Sequence, residues 1–243
     1  MPQNTRLANA FIGVMVGGAT ATFAYAISHA QTWHPYQALM LLVIAVLTSR
    51  MKVALPGLTG TMSVNLPFLL LAVVELNSLE VLTVACLSTV AQTVPSGDRK
   101  FRPVQMLFNV SMMAVACGLA GLVSHPPGGL SQSISGETLL LVLSAAVLFL
   151  GQTAPVAAII SLTESGTFRR VWMSIAQLSF PYFTLSAGLT CTVVVISNHP
   201  NLRTPLLVLP VMYGVYRSFA LYFKNQAEAS QPTALAMAAR AGR

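Results

Sequence analysis

The chain has 243 residues, of which 55% are hydrophobic and only 8% charged. Soluble domains carry about 25% charged residues, so an ordinary water-soluble fold is excluded. The net charge of +7 and a pI near 9.8 would suggest nucleic acid in a soluble protein. Here, however, the basic residues are scattered in pairs and triplets without a continuous patch, so the lipid bilayer replaces nucleic acid as the expected partner.

Apolar runs occur at 7–28, 33–48, 63–76, 79–94, 104–123, 138–163, 171–197 and 204–222. They predict an all-α, polytopic transmembrane helix bundle of about eight spans. Residues 1–222 form a single integral-membrane domain in this reading, and 223–243 a short, Ala-rich cytoplasmic tail. The first run is longer than the ~7–15 apolar residues of a signal peptide, which predicts a retained helix. Its stripe of Gly13, Gly17 and Ala21 lies beside a second of Gly18, Thr22 and Ala26. This small-xxx-small spacing lets helices approach closely, and it offers a homodimer contact through the first helix.

Runs three and four are short for a bilayer, which takes about 20 helical residues to cross. Before the third, Thr59, Thr61, Ser63 and Asn65 alternate with Gly60, Met62, Val64 and Leu66. Period-two alternation predicts extended chain, so 58–66 reads as an extended or re-entrant segment that lines a cavity. Alternatively, 53–62 is simply a cytoplasmic loop. A half-membrane hairpin and a full crossing both leave every other loop on the same side. Further along, Pro155, Pro181 and Pro210 fall inside runs six to eight, where each removes one helical hydrogen bond. Trp33 and Tyr36 mark an outer membrane edge, and Trp172 and Tyr222 an inner one.

Basic residues occupy every second loop: Arg6; Arg50 and Lys52; Arg99, Lys100 and Arg102; Arg169 and Arg170; Lys224, Arg240 and Arg243. Arg217 lies near the inner end of the last run, and Arg203 is the exception. Cytoplasmic loops retain Lys and Arg, so the pattern predicts a bacterial cytoplasmic (inner) membrane protein with both termini in the cytoplasm.

No chemistry-bearing motif stands out. H-E-x-x-H, G-x-S-x-G, P-loop and C-x-x-C motifs are absent, and the lone aspartate, Asp98, excludes a paired-aspartate protease. Cys86, Cys117 and Cys191 lie within apolar runs at no metal-like spacing. The expectation is therefore a protein that is not an enzyme, with no catalytic residues, no cofactor and no metal site. His29, His34, His125 and His199 all fall in or beside predicted outer loops. Such residues are ordinarily just solvated, but they are candidates for outer-face sensing, helped by Glu75, Glu80 and Glu137. Asn65, Gln92, Asn109, Gln152 and Gln177 sit inside runs and should face the bundle interior, most simply as interhelical hydrogen-bond partners. The functional alternative is a small polar ligand site built from Thr61, Ser63, Asn65, Gln92 and Asn109.

Several stretches carry a family resemblance. These are Leu55-Pro56-Gly57 with Gly60-Thr61-Met62-Ser63-Val64-Asn65, the acidic pair Glu75 and Glu80, and Arg102-Pro103-Val104-Gln105 with Leu107-Phe108-Asn109-Val110. To them is added the closing Pro205-Leu206-Leu207-Val208-Leu209-Pro210 with Tyr213, Tyr216-Arg217 and Tyr222. Together they resemble the N-terminal integral-membrane sensor region, of the MASE type, of bacterial HD-GYP and GGDEF signalling proteins. The resemblance implies an input module that relays a signal to a cytoplasmic signalling enzyme. No HD pair or GGDEF motif follows Tyr222, so the expected form is a free-standing sensor or one separated from its enzyme. The runner-up is a substrate-capturing subunit of a small-solute transporter, similar to those of energy-coupling-factor systems. A purely structural assembly factor is the third reading.

Overall fold

The computed structural model describes residues 2–29, 33–54, 61–95, 101–126, 134–164, 166–197 and 208–218, with single positions at 206 and 221. In chain order they form α1 (Pro2–Ser28), α2 (Pro35–Ser49), β1 (Lys52–Ala54), β2 (Thr61–Ser63), α3 (Leu66–Glu75), α4 (Ser78–Thr93), α5 (Pro103–Ser124), α6 (Ile134–Thr163) and α7 (Phe168–Ser197). A further helical stretch, α8, covers 208–218. The tail at 223–243 and His199 lie outside the described residues.

Prolines set several of the starts. Pro35, Pro67 and Pro103 each sit in the first turn of their helix, where the missing N–H would have had no partner. α4 begins instead with a capping box between Asn77 and Glu80. Pro155 and Pro181 lie inside continuous helices.

Four helices are each long and apolar enough to cross a bilayer, over Arg6–Ser28, Pro103–Ser124, Gly136–Thr163 and Phe168–Val195. The chain is therefore a multi-pass membrane protein, and it is helical throughout the described residues apart from one small ribbon. The expectation of about eight crossings is not reached on helix length alone. α2, α3 and α4 have only 15, 10 and 16 residues. Apolar side chains such as Val14, Leu47, Leu107, Val142 and Leu150 point outward from the bundle, as a lipid-facing surface requires.

The third predicted run begins later than 63 because β2 precedes it. β1 and β2 pair antiparallel in the register Lys52↔Ser63, Val53↔Met62 and Ala54↔Thr61. The extended reading of 58–66 thus holds at 61–63, ends in a bend at Val64 and becomes helix at Leu66. Positions 55–60 lie outside the described residues. The partner strand carried no alternation of its own and was not expected.

α3 reads Leu-Pro-Phe-Leu-Leu-Leu-Ala-Val-Val-Glu, and its residues from Leu66 to Val73 are all buried. A helix apolar on every face needs neighbours on every face, and α3 has them in α2, α4, α5, α6 and α7. The shortest helix is therefore the centre of the bundle.

Side-chain contacts give the helix directions. α1 and α5 run parallel, with Phe11 against Phe108 and Thr22 against Gly118. α5 and α6 run antiparallel, with Ser144 Oγ donating to the Ala120 carbonyl and Gly151 against Ala116. α6 and α7 are antiparallel too, with Trp172 Nε1 donating to Thr153 Oγ1 at 3.3 Å. Ser78 and Leu82, at the start of α4, share a groove with Tyr25, Ala26, Leu119 and Leu122. Hydrogen bonds from α2 then tie the start of α2 to that same end. One end of the bundle thus gathers Arg6, Arg50, Arg102, Arg169 and Arg170. The other gathers His29, His34, Glu75, Glu80, His125 and Glu137.

The two stripes of α1 have different uses. Thr22 and Ala26 pack inward, Ala26 among Leu82 and Ala114, and Gly18 lies against Val115. Gly13 and Gly17 are exposed, with nothing that a Cβ would meet within 4 Å.

Candidate functional site

The first turn of α3 lies deep in the bundle. α3 ends at Glu75 on the acidic, His-bearing end, and ten helical residues span about 15 Å. That is half the ~30 Å thickness of a bilayer's hydrocarbon core, so the entrance of α3 lies well inward from that end of the bundle.

Here the sequence puts polar groups where lipid or apolar side chains would otherwise be. Ser63, Val64 and Asn65 are buried, Asn65 to 4% exposure. Ser63 Oγ donates to Asn65 Oδ1 at 2.8 Å. Asn65 is the N-cap of α3, yet its side chain makes no capping bond. The helix entrance is closed from the opposite wall instead, where the Leu66 N–H donates to the Tyr182 hydroxyl of α7 at 3.2 Å. About two turns further along α7, Thr190 Oγ1 donates to the Pro67 carbonyl at 3.4 Å and to the Ser186 carbonyl at 2.9 Å.

Most buried hydroxyls in this protein are satisfied by their own helix. Thr48 donates to the Ile44 carbonyl, Thr89 and Ser88 to that of Ala85. Two buried side-chain atoms are not satisfied: Asn65 Nδ2 and Ser186 Oγ have no hydrogen-bond partner among the described residues. Turning the Asn65 amide over would only exchange which of its two polar ends is orphaned. Ser186 lies beside the Tyr182 hydroxyl without completing a hydrogen bond to it. Each buried unsatisfied group costs about 1–3 kcal/mol, and native structures retain such groups where a water, an ion or a function uses them. Both orphans flank the same seam, between the entrance of α3 and the inward face of α7.

Tyr182 also provides a direct check on this seam. Tyr182→Phe removes the Leu66 N–H's one partner among the described residues and is expected to destabilise the protein by about 1–3 kcal/mol in detergent-unfolding equilibria. Wild-type stability in that variant would mean that the bond across the seam contributes nothing.

Of the candidates read from the sequence, the structure brings Ser63 and Asn65 together. Thr61 is placed by its backbone in β2, opposite Ala54. Asn109 and Gln92 do not join them. Asn109 Nδ2 reaches Thr93 Oγ1 at 3.4 Å between the basic ends of α4 and α5, and Gln92 is half-buried on α4. Among the described residues no hydrogen bond links either one to Asn65. Gln152 is half-buried and donates weakly to Met113 Sδ, whereas Gln177 is exposed rather than interior. Gln177 falls on the outward face of α7, away from the stripe that meets α3.

That stripe escaped the sequence reading. Ser179, Tyr182, Ser186 and Thr190 recur at helical spacing on α7, and all four are buried. A run of hydroxyls on one face of an otherwise apolar helix is the signal that the sequence carries for it.

The three described histidines reach the same end of the bundle but do not converge. His29 stacks on Tyr25 at 4.2 Å between ring centroids. The backbone N–H of His34 donates to Glu80 Oε1. His125 lines a cavity with Glu137. Gln37 Nε2 donates to Glu75 Oε2 at 2.7 Å. Among the described residues there is no group of three or more His, Cys, Asp or Glu that could hold a metal ion. No family model, curated protein or solved structure matches this chain.

Proposed function

We propose that this protein is a non-enzymatic membrane sensor that holds a small polar solute at the α3–α7 seam and relays its presence to a cytoplasmic partner. The observation that carries the reading is the pair of orphaned polar atoms, Asn65 Nδ2 and Ser186 Oγ, buried where the entrance of α3 meets α7. A solute offering an acceptor to Asn65 and a complementary group to Ser186 would satisfy both. The basic end of the bundle would face the cytoplasm of a bacterial cell, and both chain termini would lie on that side. The resemblance to MASE-type sensor regions supports the same direction of signalling.

Asn65→Leu and Ser186→Ala test the site. Protein purified in lipid nanodiscs is denatured, and the released small molecules are measured by mass spectrometry. The wild type is expected to carry a small polar compound whose occupancy falls by at least about tenfold in either variant. A reporter kinase core fused behind the last residue should change its output in parallel. Unchanged occupancy and output in Asn65→Leu, together with greater stability, would reduce the seam to a packing defect.

A second reading is favoured by the depth of Asn65. Transporters place substrate sites near the bilayer midplane, where a helix is broken, and the ribbon β1–β2 leading into α3 has that form. Under it the chain is the substrate-capturing subunit of a small-solute transporter. Uptake of the labelled compound by expressing cells, with copurification of an ATPase, would select this reading over the sensor.

A further inference from the structure

We infer a second binding site, for a small organic amine, in the cavity between Glu137 and His125 at the end of the bundle opposite the basic residues. The cavity has a volume of about 390 Å³ and is lined by Val74, Ser124, His125, Pro126, Glu137, Leu140 and Val194. It therefore lies where the end of α3, the end of α5, the start of α6 and the outer part of α7 meet. Its size is at the small end of the ~300–1,000 Å³ range of ligand sites.

The lining specifies the ligand. Glu137 supplies a carboxylate that has no ion-pair partner among the described residues. His125 Nδ1 lies 3.3 Å from the Gly121 carbonyl. A carbonyl only accepts, so Nδ1–H is the donor in that contact, which leaves Nε2 as the other ring nitrogen. Glu137 offers carboxylate acceptors to the cavity, which calls for a ligand with a cationic donor group. The charged groups at this end that the structure describes, Glu75, Glu80 and Glu137, are all acids, and the nearest described cations lie at the opposite end. Val74, Leu140 and Val194 complete an apolar wall that would not replace the hydration shell of a bare inorganic cation. An ammonium group on an apolar body fits both halves of the cavity.

Glu137 also stands in the first turn of α6, where a carboxylate stabilises a helix through its dipole alone. That role needs the charge but not the cavity, so filling the space separates the two. The test uses phenethylamine and its neutral counterpart 2-phenylethanol, titrated calorimetrically into the full chain in lipid nanodiscs, with empty nanodiscs as the blank. The amine is expected to bind at least about tenfold more tightly than the alcohol. Glu137→Gln and Leu140→Trp should each weaken the amine by about tenfold or more. Solute released from the mid-membrane site is measured separately in the same samples, which keeps failure here distinct from failure of that site. Equal affinity for amine and alcohol, no saturable amine binding, or wild-type affinity in Glu137→Gln overturns the assignment. Should a variant not fold, the amine-to-alcohol ratio of the wild type decides.

Discussion

Glu80→Ala is expected to destabilise the protein by about 3 kcal/mol, read from unfolding equilibria of the purified protein in mixed detergent. The carboxylate is 1% exposed. Its Oε1 accepts the backbone N–H of His34 at 2.5 Å, and its Oε2 accepts that of Asn77 at 3.2 Å. Asn77 Oδ1 in turn accepts from the backbone N–H groups of Leu79 and Glu80. One side chain therefore completes the start of α4 and holds the entry to α2, whose N-cap residue His34 makes no capping bond of its own. Alanine would strand two part-buried N–H groups at once. Each hydrogen bond to a charged acceptor contributes about 1.5–3 kcal/mol, so the effect should exceed that of losing a single helix cap. Glu80→Gln keeps one acceptor oxygen but turns an amide donor toward the other N–H, and it should lose roughly half as much. A loss below about 1 kcal/mol for alanine would show that α2 and α4 do not depend on this clasp.

The second large effect belongs to the crossing of α1 and α5. A Cβ on Gly118 would stand 2.1 Å from Thr22 Cγ2, but 3.5 and 3.6 Å from Thr22 Cβ and Oγ1. Thr22 cannot simply turn away, because its Oγ1 donates to the Gly18 carbonyl at 2.8 Å and so holds the methyl toward α5. Gly118→Ala should therefore destabilise by about 1–3 kcal/mol through overpacking. Thr22→Ser removes the offending methyl and keeps the hydrogen bond, at a loss of no more than about 1 kcal/mol. Combined, the two changes should be less harmful than Gly118→Ala alone, a coupling of about 1 kcal/mol or more in a double-mutant cycle. Strict additivity would mean that α1 slides as a rigid body and that the close approach at Gly118 is not specified.

The two sites draw on different parts of the chain, and α3 touches both. Its entrance forms the mid-membrane seam with Tyr182 and Ser186, while Val74 in its last turn lines the amine cavity. Most of α3 is enclosed by other helices, and its ten residues make about three turns between the two places.

Features that depend on neighbouring residues could be read directly. The long apolar runs became α1, α5, α6 and α7, because a segment that must satisfy its own backbone in lipid has only the helix available. The alternation around Thr61–Ser63 became a strand, since period two is the pattern of extended chain. The segregation of Arg6, Arg50, Arg102, Arg169 and Arg170 from the histidines followed from charge alone. Which polar residues meet could not be read this way. Asn65 and Asn109 looked equivalent as amides in apolar runs, yet one faces Ser63 and α7 while the other faces Thr93. Likewise, β1 was invisible until β2 gave it a register, and Glu80 until the fold carried His34 to it across 46 positions. Patterning and charge act within one turn of helix or one loop, whereas hydrogen-bond partners and cavities arise from helix directions that only long-range packing establishes.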